Sequence, residues 1–164
     1  MLQRTQIFFL LLAATLAQAQ WAKAPLTEPS TINPNLYRAN ANAPREIREA
    51  VTAATRQHKR VLVVFGANWC IDCHVLEHAF HQPRIEPLLR DNFVVIHVDV
   101  GRYDKNLELA KKYRAHLEKG VPSVAVLSPA GALLYSSSEF EKAHLLTEQD
   151  VIAFLDTWKP PAAK

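Results

Sequence analysis

Two stretches of the chain are apolar without alternation: Val61-Leu62-Val63-Val64-Phe65 and Phe93-Val94-Val95-Ile96-His97-Val98-Asp99. Runs rich in β-branched residues with no polar face predict strands buried on both sides. Elsewhere the apolar positions recur at helical spacing. Ile47, Ala50, Val51 and Ala54 predict a helix that Pro44 opens and that His58-Lys59-Arg60 ends with positive charge. Val75, Leu76, Ala79 and Phe80 predict a second helical face stopped by Pro83, and Ile85, Leu88 and Leu89 add a turn or two. Leu107, Ala110, Arg114 and Leu117 predict a helix from about Asp104, closed by Gly120. Val124-Ala125-Val126-Leu127 and Leu133-Leu134-Tyr135, joined by Ser128-Pro129-Ala130-Gly131, predict a hairpin. Thr147-Glu148-Gln149-Asp150 has the form of a capping box, opening a last helix through Val151, Phe154, Leu155 and Trp158 before Pro160-Pro161. Strand, helix, strand, helix, hairpin, helix predicts an α/β sandwich: a mixed central sheet flanked by helices, with no internal repeat.

The ends follow other rules. Arg4, an apolar run from Ile7 to Leu16, and small residues in Ala17-Gln18-Ala19 predict a signal peptide over residues 1–19, with the cut before Gln20. The run is too short to span a hydrocarbon core, which needs ~20 residues. Export to a bacterial periplasm is the expectation. Residues 20–42 carry Pro25, Pro29 and Pro34 among small and polar residues, predicting an extended leader with little core of its own. Leu36-Tyr37-Arg38 within it is expected as a short edge strand. Residues 43–159 form the expected domain and 160–164 a tail. With 49% apolar residues, the chain can fill one core. Its formal charge of +3 is small, and Lys and Arg are scattered among Asp and Glu, which gives no case for a nucleic-acid partner. A monomer is expected.

The chemistry sits in Trp69-Cys70-Ile71-Asp72-Cys73-His74, which holds both cysteines of the chain. C-x-x-C serves as a reversible dithiol, and C-x-x-C-H also marks covalent haem attachment. Haem wants a second axial ligand, often Met, and the one methionine is Met1. A structural staple between residues this close constrains little of the unfolded chain. Cys70 falls where a buried strand gives way to a helix, and free N–H groups with the positive dipole end favour a thiolate there. Asp72 opposes that effect. Cys73 shares the same side of the first turn and is placed to resolve a mixed disulfide at Cys70. The rival reading is a copper or zinc module built from Cys70, Cys73 and His74. His74, His78 and His81 share a helical face with Glu77, but three ligands along two turns diverge too far for one ion, so a solvated polar face is expected there. His97 is expected as a hydrogen-bonded core histidine. No organic cofactor is called for.

The run from Val61 to Cys73, together with Gly120-Val121-Pro122 just before the hairpin, resembles the thioredoxin superfamily. The likeness is nearest to the periplasmic C-terminal domains of transmembrane thiol:disulfide interchange reductases and covers roughly Tyr37 to Lys159. It implies a thioredoxin-like three-layer sandwich and a thiol–disulfide oxidoreductase with a Cys70–Cys73 disulfide. It also implies that Pro122 is cis beside the cysteines, that the Val121 backbone binds an extended client peptide, and that Trp69 flanks the nucleophile. Protein disulfides are then the substrates, and a transmembrane dithiol protein the electron donor. The chain departs from the family pattern at Val64, where a buried Asp is usual, and at Val95, where a Lys is usual. With neither charge, Cys73 is expected to keep a high pKa, with His74 and Glu77 as weak substitutes and turnover modest.

Overall fold

The apolar run at Arg60–Gly66 forms β1, a strand flanked on both sides from Val61 to Phe65, and every residue from Val61 to Gly66 is buried. The computed structural model describes residues 24–161; the expected signal peptide lies outside them. Helix α1 (Ala43–Gln57) precedes β1, capped by the Asn42 side chain, which accepts from the Arg45 N–H at 3.1 Å. After β1 come α2 (Ile71–Phe80), α3 (Glu86–Asn92) and β2 (Phe93–Asp99). Then follow α4 (Leu107–Lys112), β3 (Ser123–Leu127), β4 (Leu133–Ser137), a single 3-10 turn (Ala143–Leu145) and α5 (Glu148–Trp158).

The sheet order is β2-β1-β3-β4. β2 runs parallel to β1, pairing Val64 with His97, and β3 runs antiparallel, pairing Val64 with Val124. β3 and β4 form the expected hairpin, with an irregularity between Val126 and Leu127. Alternation along β1 sends Leu62 and Val64 to one face and Val61, Val63 and Phe65 to the other. The first face packs on α2, α3 and α5 through Val75, Leu76, Phe80, Leu89, Val151 and Leu155. The second packs on α1 and α4 through Ile47, Ala50, Ala54 and Ala110. This is the three-layer sandwich expected, and the absence of a polar face on β1 follows from it. Fully burying one such Leu or Val contributes about 1.5–3 kcal/mol.

The capping box forms as expected: Thr147 accepts from the Asp150 N–H while Asp150 accepts from the Thr147 N–H at 2.8 Å. Three expectations need correction. The helix expected from Asp104 to Gly120 is only Leu107–Lys112, because Asn106 and Arg114 both take left-handed backbone at φ 52°. Ala115 N–H then donates to Ala110 carbonyl at 2.8 Å, the closure that left-handed helix ends make. Leu36-Tyr37-Arg38 forms no strand; the leader's bridge is instead Pro25 to Thr147, with Leu26 N–H donating to Leu146 carbonyl at 2.7 Å. The leader also reaches the core, since Leu26 and Tyr37 are both buried.

Candidate active site

β1 ends at Gly66, whose carbonyl accepts from Val100 N–H at 2.9 Å, and the chain turns so that Cys70 N–H reaches the Ala67 carbonyl at 3.0 Å. Cys70 is therefore the N-cap of α2. Its sulfur accepts from the Cys73 N–H at 3.1 Å, in the position a Ser or Asp oxygen often takes at a helix start. The two cysteines are joined as a disulfide with Cα atoms 5.3 Å apart. Cys70 is 5% exposed and Cys73 1%. Cys70 Sγ lies 3.3 Å from the Val121 carbonyl oxygen, and the Val121–Pro122 peptide bond is cis. Ser123 holds this segment from behind, donating to Ser137 carbonyl at 3.1 Å and accepting from His116 N–H at 3.0 Å.

Around Cys70 the surface is apolar. Trp69 and Ile71 stand 45% and 44% exposed on either side of it. The Trp69 indole N–H donates to Gly101 carbonyl at 2.7 Å, and its ring meets Tyr103 at 5.8 Å, so the flank is held rather than free. Asp72 is tied to His144. Its Oδ1 accepts from the His144 backbone N–H at 2.9 Å and lies 2.7 Å from His144 Nδ1. The carboxylate expected to oppose a Cys70 thiolate is thus turned toward the 3-10 turn at Ala143–Leu145.

The histidine face expected to be solvated forms only in part: His81 is exposed and His78 half-buried, but His74 turns inward. His74 is 3% exposed, with its Nε2 2.9 Å from the Asn68 carbonyl oxygen. His78 lies 3.2 Å from the Gln82 amide, and His81 3.1 Å from Glu77. The three rings have three different partners. Among the described residues no three His, Cys, Asp or Glu side chains come together as a metal-holding group, so the rival set of Cys70, Cys73 and His74 is not assembled.

Beneath the disulfide lies a group that spacing along the chain did not reveal. Asn68 accepts from Tyr37 N–H at 2.9 Å and donates to Tyr37 carbonyl at 2.8 Å, pinning a leader residue below the motif. The Tyr37 ring meets His97 edge-on at 5.4 Å, and His97 Nε2 lies 3.0 Å from Glu77 Oε2, which gives His97 the hydrogen bond expected of it. Burial pushes the Glu77 carboxyl up, but hydrogen bonds and charge from His97 and His81 outweigh it and hold the group below its ordinary range. Burial, with Glu77 and Asp99 nearby, pushes the Tyr37 phenol far above its ordinary value. A Cβ on Gly66 would collide with the Tyr37 hydroxyl and stand 2.7 Å from Cys73 Sγ. Glycine is required there by close approach, and a glycine inside a strand pattern is the one sequence signal that could have announced a neighbour.

The sheet order, the cis Val121–Pro122 bond and the cysteine pair at a helix start together define a class. A family model described as Thioredoxin-like matches residues 42–129, and the chain belongs to that family. The match carries the redox C-x-x-C with it, so the protein is a thiol–disulfide oxidoreductase. It is 30% identical over 118 residues, 71% of this chain, to the thiol:disulfide interchange protein DsbD of Pseudomonas fluorescens, and spans only 18% of that protein's length. It is 33% identical to a disulphide isomerase from Xylella fastidiosa, with a TM-score of 0.71, covering 74% of this chain and 95% of that one. The oxidised DsbD C-terminal domain of Neisseria meningitidis shares the fold at 20% identity and a TM-score of 0.55, over 73% of this chain and 97% of that one.

Proposed function

We propose that this oxidoreductase acts in the periplasm, freed there from a signal peptide over residues 1–19, and exchanges disulfides with protein clients as a monomer. Cys70 is the attacking thiolate and Cys73 the resolving one. The observation that carries this reading is the Cys70 sulfur at the N-cap of α2, 3.1 Å from the Cys73 N–H. A thiolate at that point receives a backbone hydrogen bond and the positive end of the helix, while Cys73 is more deeply shielded. Val121 and Pro122 shape the client groove, supported by the 3.3 Å approach of the Val121 carbonyl to Cys70 Sγ, and Trp69 covers one flank. A transmembrane dithiol protein supplies electrons, a reading supported by the likeness to a thiol:disulfide interchange protein.

Cys70→Ser is expected to abolish reduction of insulin disulfides, and Cys73→Ser to accumulate mixed disulfides with clients, visible on non-reducing gels. Wild-type turnover combined with no trapped species in Cys73→Ser would overturn the assignment of roles. The protein recovered from periplasmic extracts is expected to begin at Gln20; retention of the full chain in the cytosol would refute export.

A further inference from the structure

The Tyr37 hydroxyl is buried and has no hydrogen-bond partner among the described residues. A phenylalanine would fill the same space without leaving a polar atom unpaired, which costs about 1–3 kcal/mol. A partner gained in another state of the protein would account for a tyrosine in this position. Its surroundings name one. The hydroxyl and Cys73 Sγ share the hollow over Gly66 that a Cβ would fill. The charged groups facing it from the packed elements are Glu77 on α2 and Asp99 at the end of β2. Glu77 is engaged by His97 and His81, and Asp99 by Lys105 at 3.1 Å and Gly101 N–H at 2.9 Å. Val64 and Val95 on the adjoining strands offer no polar atom.

We propose that the Tyr37 hydroxyl donates a hydrogen bond to the Cys73 sulfur once the disulfide is open, stabilising and aiming the resolving thiolate. This rests on the roles given to Cys70 and Cys73 above. The Cys70 thiolate attacks a client disulfide, forming the Cys70–client bond and expelling one client thiolate. The Cys73 thiol gives up its proton to that thiolate, and the Cys73 thiolate, held by the Tyr37 O–H, attacks Cys70 Sγ. The Cys70–Cys73 bond forms and the second client thiolate leaves, taking up the proton that Cys70 had released to solvent. Two electrons pass from the dithiol to the client, and Tyr37 keeps its own proton throughout.

The test uses the reduced protein with 5,5′-dithiobis(2-nitrobenzoate), which reports the two exchanges separately as two releases of coloured thiolate. In Tyr37→Phe the first release, by Cys70, is expected at the wild-type rate, and the second, by Cys73, about tenfold slower at neutral pH. In a Cys70→Ser background, adding Tyr37→Phe is expected to raise the pH at which the Cys73 thiolate absorbance appears by about one unit, as loss of one charge-assisted hydrogen bond requires. A role in packing alone would move neither readout while the oxidised form melts as wild type does. An unchanged second release, with Cys73→Ser still retaining its adduct, would overturn the proposal and leave the proposed function standing. A Cys73→Ser protein that releases both thiolates would overturn both.

Discussion

Gly66→Ala puts one methyl group into the crowded contact between Tyr37 and Cys73. No unusual backbone angle is involved, so the penalty is steric. The new Cβ would stand 2.5 Å from Tyr37 Cζ and 2.7 Å from Cys73 Sγ, where ordinary contact begins near 3.4 Å. Tyr37 Cζ must retreat by about 0.9 Å and Cys73 Sγ by about 0.7 Å to reach that limit. Neither is a loose side-chain end: Asn68 holds the Tyr37 backbone at both its N–H and its carbonyl, and the sulfur is tied to Cys70. Overpacking a tight core costs about 1–3 kcal/mol, and fixed neighbours put this case at the upper end. For a domain of this size that is a fall of roughly 10 °C in the melting temperature of the oxidised form. The dithiol form suffers less, because a free Cys73 side chain can rotate away. The reduction potential is then expected to become less negative, by about 30 mV for each 1.4 kcal/mol that separates the two penalties. Calorimetry of both redox forms and a glutathione equilibrium measure these quantities. An oxidised Gly66→Ala protein that melts within a degree or two of wild type, at an unchanged potential, would refute the placement of Tyr37 against Cys73.

Asn68→Ala removes both hydrogen bonds that hold the Tyr37 backbone, and denaturant titration is expected to show a loss of about 1–3 kcal/mol. A midpoint equal to wild type would mean the leader is anchored elsewhere. For Glu77, a carboxyl held below its ordinary value of 4.5 contributes stability that is fully present above that pH and is lost as pH falls through the lower folded value. Glu77→Gln is therefore expected to flatten the decline of melting temperature below about pH 4.5, and an acid limb parallel to wild type would count against the His97 and His81 contacts.

The two uninterrupted apolar strands revealed the sheet, because burial on both faces leaves no other use for Val61 to Phe65. The helix-start position of Cys70 was equally legible, since it needs only a strand, a short turn and helical spacing. What stayed hidden depended on contacts between distant parts of the chain. Tyr37 lies 31 residues from its partner Asn68, within a proline-punctuated stretch whose local pattern promised only a short edge strand. His74 looked like one of three solvated histidines because spacing shows which residues share a face but not what descends on it; here the turn carbonyl of Asn68 takes its ring. The short α4 was unreadable for another reason. Leu107 to Leu117 keeps helical spacing, and no residue type announces the left-handed turn at Arg114.

The position of Tyr37 separates two things usually taken together, the part of the chain that marks the family and the part that completes its chemistry. The family match begins at residue 42, five positions after the phenol that floors the cysteine pair. A protein trimmed to that boundary would keep every described helix and strand and still lose the plug over Gly66, opening the buried side of the disulfide to water. The packed unit around the cysteine pair therefore begins before the first described helix.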